Sequence, residues 1–280
     1  IVSDFILKSG RLIYRAQLLD LMFRIIHVLL DAKRDGRLSK DIYEWLDPKN
    51  TLTMGEVYSE LLKRRYLFPW QKNKLKLAIT ERNLLAHGWL PGKPLKTLLL
   101  TPNDRATLIR RVEGAFRRIH QATIALVEIG RTITSKDSNL VWISLSGRVE
   151  SLIAPPEKEM KPIYSLLALA QVEYQILELM LRSSLISSCH PSKATNSLES
   201  HPASEMPILQ VISNLKDNGV FDEQQIARIR EAVFARNKIV HFPWFSVGGV
   251  VADQEIEEHF RQIVSSIADT NKYIVSYLTP

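Results

Sequence analysis

Cysteine is almost missing from this chain: Cys189 is the single one in 280 residues. No internal disulfide can form, and a reducing compartment is the default for such a composition. Long apolar runs are missing too. The most apolar stretch, Leu18 to Leu30, carries Asp20, Arg24 and His27, so it falls short of the roughly 18 uninterrupted apolar residues of a membrane span. The chain opens at Ile1 without a signal-peptide pattern, and the expectation is a soluble, cytoplasmic protein. There is no glycine-rich phosphate loop, no Gly-x-Ser-x-Gly elbow and no paired zinc-ligand motif, so those routes to phosphate, acyl or metal chemistry have no support.

What is present is basic and unevenly spread. Residues 1–140 hold 25 Lys and Arg against 14 Asp and Glu, whereas residues 141–280 hold 12 against 16. A basic first half beside a mildly acidic second half points to a polyanion gripped by the first; solvated helix faces are the plainer reading.

Arg82-Asn83-Leu84-Leu85-Ala86-His87 and Arg236-Asn237-Lys238-Ile239-Val240-His241 contain the only two Arg-Asn dipeptides, and they sit 154 residues apart. Ala16-Gln17 recurs as Ala170-Gln171 at the same offset. So do Val57, Ser59 and Leu61 as Val211, Ser213 and Leu215, Ala78 as Ala232, and Ile109 as Ile263. One offset shared by separate regions is what duplication of a whole domain gives. Apolar residues at three-to-four spacing over Leu12–Leu30 and Leu166–Ile186 predict helices. Thr53 with Glu56, Asp222 with Gln225, and Thr101-Pro102-Asn103-Asp104 read as helix starts. The expected architecture is all-α: helical bundles over 1–130 and 161–280, four to five helices each, joined by a linker over 131–160. That linker contains a possible short strand at Val141–Leu145 and then Pro155-Pro156. A loop is expected over 183–207, where the first half offers a short helix at Lys40–Leu46.

On a helix, Asn83 and His87 share a face, being roughly 40° apart in azimuth, and Arg82 flanks them. The groups suit phosphodiester chemistry. Histidine exchanges protons near neutral pH, arginine offers a fixed fork of donors to a phosphate, and asparagine orients a partner. Two facing copies supply one general base and one general acid without a metal. The plain alternative is that Arg and Asn hold a helix end while His is merely packed.

The tandem motif resembles HEPN domains (higher eukaryotes and prokaryotes nucleotide-binding), all-helical bundles carrying Arg, four to six residues, then His, often with Asn after the Arg. The resemblance covers nearly the whole chain as two HEPN-like bundles forming an intramolecular pseudo-dimer. It implies a metal-independent endoribonuclease whose composite site joins Arg82, Asn83 and His87 to Arg236, Asn237 and His241. The reaction it implies is attack of a 2′-hydroxyl on the adjacent phosphate, in a toxin or anti-phage defence effector that needs no cofactor. An antitoxin or regulatory protein would be a partner. Members paired with a nucleotidyltransferase often carry Tyr two residues after the His; here those positions are Trp89 and Pro243, which argues against that mode of control. The other reading is a non-catalytic HEPN-like module that binds nucleotide, RNA or a protein.

Lys63, Arg64, Arg65, Lys72, Lys74 and Lys76 interleave with Tyr66, Phe68 and Trp70 just before the first motif. Such a run can hold an RNA backbone and stack unpaired bases, or else Phe68 and Trp70 pack into the bundle. Arg110, Arg111, Arg117 and Arg118 are expected to face solvent. Cys189, His190 and His201 lack regular ligand spacing. His27, His120 and His259 have no partner at the offset, so structural or surface roles are expected for them.

Overall fold

The structure, a computed structural model, describes residues 2–35, 52–88, 102–134, 153–154, 157–189, 206–241 and 254–278. These residues form eight helices and no strand. They are α1 (Val2–Asp35), α2 (Met54–Lys63), α3 (Pro69–Gly88), α4 (Pro102–Thr134), α5 (Glu157–Cys189), α6 (Ile208–Asp217), α7 (Glu223–His241) and α8 (Gln254–Leu278). The all-α expectation is met, with four helices in each half among the described residues.

The offset of 154 relates element to element, down to backbone angles. Arg64 and Asn218, which close α2 and α6, each have φ −82° and ψ 1°. The next residues, Arg65 (φ 56°) and Gly219 (φ 67°), both turn left-handed. The Tyr66 N–H then donates to the Leu61 carbonyl at 3.0 Å and the Val220 N–H to Leu215 at 3.0 Å, closing both helix ends in the Schellman manner. Glycine adopts that conformation freely; arginine does so at a cost of about 1 kcal/mol. Helix starts repeat only in part, since the counterpart of Thr53 is Pro207, which makes no side-chain cap bond. Thr53 and Glu56 exchange both capping-box bonds, as do Asp222 and Gln225. The Phe68 N–H donates to Gln71 Oε1 at 2.9 Å, repeating half of the second box.

Helices α1 and α5 form the centre. α1 packs on α4 and on α5, and α5 packs in turn on α8. Between two such neighbours α1 is apolar nearly all round, with Leu12, Leu18, Leu19, Met22 and Ile26 fully buried. Where α1 crosses α5, a Cβ on Gly10 would collide with the backbone carbonyl of Tyr164. Tyr164 stands 154 positions after Gly10.

Helix boundaries differ from the sequence expectation in two places. Residues 131–134 continue α4 and 157–160 begin α5, so both ends of the expected linker are helical. Residues 183–186, covered by both the expected helix and the expected loop, are helical, and α5 runs on through 187–189. Burial of Leu185 and Ile186 outweighs the serine content there. Ser184 and Ser188 also satisfy their hydroxyls on the Met180 and Leu185 carbonyls. The expected strand at 141–145, the helix at 40–46 and residues 190–205 lie outside the described residues. Among the described residues no helix is long and apolar enough to cross a membrane.

His120 of α4 is half-buried and stacked on Phe116 at 5.9 Å. Burial, with Arg15 adding, lowers its pKa from the ordinary value. The unfolded chain therefore takes up this proton more readily than the folded one. The stability His120 contributes is complete above about pH 6.5 and is lost as the pH falls below it. The unfolding free energy, followed by urea titration between about pH 7 and about pH 5, should fall less steeply in His120→Gln.

Candidate functional site

Helices α3 and α7 carry the two motifs on their last turns. Arg82, Asn83 and position 87 lie on α3; Arg236, Asn237 and position 241 lie on α7. The side chains of His87 and His241 are outside the described residues. In each copy the arginine donates to the adjacent asparagine, Arg82 Nη1 to Asn83 Oδ1 at 3.5 Å and Arg236 Nη1 to Asn237 Oδ1 at 3.1 Å. The asparagine thus helps to orient the guanidinium on both sides.

An exchange of hydrogen bonds brings the two helix ends to the α1/α5 seam. Gln17 Nε2 donates to the Ile239 carbonyl, and Gln171 Nε2 donates to the Leu85 carbonyl at 3.4 Å. Gln17 and Gln171 are counterparts at the offset, and so are Leu85 and Ile239. Residue i of one half thus bonds residue j of the other, and the reverse. Both acceptor carbonyls lie two residues before a motif histidine. The arginines also sense one another. Burial lowers the Arg236 guanidinium from its ordinary value; Tyr174 and then Glu178 oppose, and the charge of Arg82 makes the smallest contribution to the fall.

What faces the arginine differs between the halves. Arg82 lies 3.6 Å from the Asp20 carboxylate, which also takes Arg24 at 3.1 Å. Burial lowers the Arg82 pKa, Asp20 opposes and Arg24 adds to the fall. The counterpart of Asp20 is Tyr174, and Arg236 lies over its ring, 4.2 Å from the centroid. Burial pushes the Tyr174 hydroxyl up to about 12, helped by Glu178 and opposed by Arg236 and Arg182. The counterpart of Arg24 is Glu178, which binds Arg182 of its own helix. Arg236 is enclosed, with 3% of its surface exposed. Arg82 instead borders a cleft of about 470 Å³ lined by Asp20, Arg24, Thr53, Gly55 and Asn83 among others.

The basic run is fuller in the first half, although Lys74 and Lys76 have Arg228 and Arg230 as counterparts. Lys63, Arg64, Arg65, Lys72 and Lys76 are exposed. The Lys74 ammonium sits 4.8 Å from the centre of the Trp70 ring. Two of these cations have local partners: Lys63 meets Glu60 at 2.8 Å, and Arg64 donates to the Leu30 carbonyl at 3.2 Å. Phe68 and Trp70 do not pack into the bundle; they are 63% and 48% exposed. Their counterparts in the second half are Asp222 and Gln224. Lys72, Lys76 and Asn83 fall within roughly 40° of azimuth on α3, so the exposed lysines lead along one face toward the motif. Arg110, Arg111 and Arg117 face solvent as expected, but Arg118 binds Glu81 at 2.5 Å and ties α4 to α3. His27 pairs with Asp31 at 3.1 Å, and His259 is exposed. The Cys189 side chain, His190 and His201 lie outside the described residues.

Sequence reading passed over Asp20 and Arg24, which it used only as interruptions of an apolar run, and gave Gln17 and Gln171 no role. Their signal was there: polar residues on a helix otherwise apolar all round require partners. Gln17→Met or Gln171→Met leaves a motif-helix carbonyl unsatisfied and should cost about 1–2 kcal/mol in urea unfolding.

Comparison with protein families, with curated proteins and with solved structures yields no match.

Proposed function

We propose that the chain is a metal-independent endoribonuclease of HEPN type. In this reading the two halves form an intramolecular pseudo-dimer, and Arg82, Asn83 and His87 with Arg236, Asn237 and His241 make one composite site. The observation that carries it is the reciprocal pair of bonds from Gln17 to Ile239 and from Gln171 to Leu85. Those bonds tie the last turns of both motif-bearing helices to the α1/α5 pair. One histidine removes the proton of a 2′-hydroxyl, the other protonates the departing 5′-oxygen, and the arginines stabilise the phosphorane charge between them. The RNA strand runs over Lys63, Arg64, Arg65, Lys72, Lys74 and Lys76, with bases against Phe68 and Trp70. A toxin or defence role, acting in the cytoplasm and restrained by a partner protein, fits such an activity.

The test is cleavage of total cellular RNA by the purified chain in EDTA, with mapping of the ends. Fragments carrying 2′,3′-cyclic phosphate and 5′-hydroxyl ends are expected. Intact RNA under every condition would sink the proposal. One feature favours a second reading, a module that binds RNA without cutting it: Arg236 is enclosed beneath Tyr174. That reading expects salt-sensitive RNA binding with no cleavage at any protein concentration.

A further inference from the structure

Helix α3 turns three large apolar side chains to solvent along one line. Trp70, Leu77 and Leu84 are 48%, 54% and 42% exposed. Residues seven apart on a helix drift by only about 20° in azimuth, so the three form one stripe about 20 Å long. Other residues hold α3 to the bundle: Gln71, Leu75, Ala78 and Leu85 are buried. Single apolar residues on a surface are ordinary, whereas a row of them in register marks an interaction face. With the stripe taken as heptad position a, Lys74 falls at e and Lys76 at g, the places that choose a partner by charge. The second e position is Glu81, whose carboxylate is already bonded to Arg118 of α4 at 2.5 Å.

The second half serves as an internal comparison. At the offset of 154 the stripe becomes Gln224, Glu231 and Lys238, while the flanking cations recur as Arg228 and Arg230. Phe234 is exposed on α7, but Ala227 and His241 stand seven residues to either side of it, so no stripe forms there. The flanks are therefore basic in both halves, and the apolar line belongs to α3. The same fold manages without it on α7, so packing does not require it.

We propose that the outer face of α3 docks an amphipathic helix of a partner protein, one with leucine-like anchors at seven-residue spacing and acidic residues flanking them. The anchors lie against Trp70, Leu77 and Leu84, and the carboxylates meet Lys74 and Lys76. Two other occupants fit less well. A second copy of this chain, docked face to face, would set Lys74 and Lys76 against the same cations. RNA gains stacking from Trp70 but nothing comparable from Leu77 and Leu84, which have no aromatic face. The docking face does not depend on the ribonuclease reading. It shares Trp70, Lys74 and Lys76 with the RNA path proposed above, so helix and RNA exclude one another there.

The probe is a synthetic helical peptide with leucines at its a and d positions and glutamates at e and g. Its twin carries lysines at e and g. Binding of each to the full-length chain is followed by fluorescence anisotropy. The glutamate peptide is expected to bind, and the lysine twin to bind at least about tenfold more weakly. Leu77→Gln and Leu84→Gln keep helix propensity and add no charge. Each is expected to weaken the glutamate peptide about tenfold, as loss of a buried anchor does, with the melting temperature unchanged. Phe234→Ser, off the stripe on α7, should bind as the parent does. The proposal is overturned if the glutamate peptide does not bind, if the twins bind equally, or if Leu77→Gln binds like the parent. Equal weakening by Phe234→Ser also overturns it. Sedimentation equilibrium of the chain alone is expected to show a monomer; a dimer dissolved by Leu77→Gln would give the face to a second copy instead. A single-stranded RNA oligonucleotide is expected to bind Leu77→Gln as it binds the parent, and a loss matching that of the peptide would assign the face to RNA and overturn the proposal.

Discussion

Alanine in place of His87 or of His241 is expected to lower RNA cleavage in EDTA by about 10²–10⁴-fold, the range for losing one positioned proton donor or acceptor. Both replacements should be severe because the reading assigns one histidine as base and the other as acid, and neither copy can complete the transfer alone. The double variant should be little worse than either single one, since the two act as a unit. Arg82→Lys refines the point. It keeps the charge but loses the planar fork that reaches Asn83 and Asp20, so a large loss is expected from a conservative change. Melting temperatures taken alongside separate a lost site from a lost fold. If both histidine variants cut RNA at the parental rate, the composite site is wrong.

Gly10→Val should be the most damaging single substitution to the architecture. At this crossing even a Cβ would collide with the Tyr164 backbone carbonyl, and backbone cannot rotate aside as a side chain can. Overpacking of this kind costs about 3 kcal/mol or more, which is a large share of the stability of a typical domain. The urea midpoint should drop sharply and cleavage should fall with it, because the same seam holds the ends of α3 and α7. Gly55→Ala is the matched control. Its Cβ meets nothing within 4 Å, so stability should hold or rise by up to about 1 kcal/mol, the usual gain on replacing a helical glycine. Equal midpoints for the two variants would mean that α1 and α5 do not cross this tightly.

Much of the architecture could be read from residue spacing because the same pattern occurs twice, 154 residues apart. The offset found from Arg-Asn, Ala-Gln and Val-x-Ser-x-Leu matches holds for whole helices, and the capping boxes at Thr53 and Asp222 fall where their residue pairs placed them. Where local composition opposed apolar spacing, the spacing was right: it carried the expected helix to Ile186 while the serine content placed a loop from Ser183, and burial of Leu185 and Ile186 goes with helix. Exposure of Phe68 and Trp70 could not be derived either, since an aromatic residue before a helix has no intrinsic reason to face water. The motif itself was visible, but its surroundings were not. Asp20, Arg24, Tyr174 and Glu178 lie about sixty residues or more before their arginines, and only tertiary packing brings them together.

The replacement of Arg24 by Glu178 and of Asp20 by Tyr174 has a consequence for how such a site changes over generations. In a pair formed by two identical chains, every substitution near the axis is made in both members at once. A mutation useful to one must then be tolerable to the other. Here the two sides are encoded separately, so one can be closed over with an aromatic ring while the other stays open. On the proposed reading of two fused halves, each is free to specialise without its twin following.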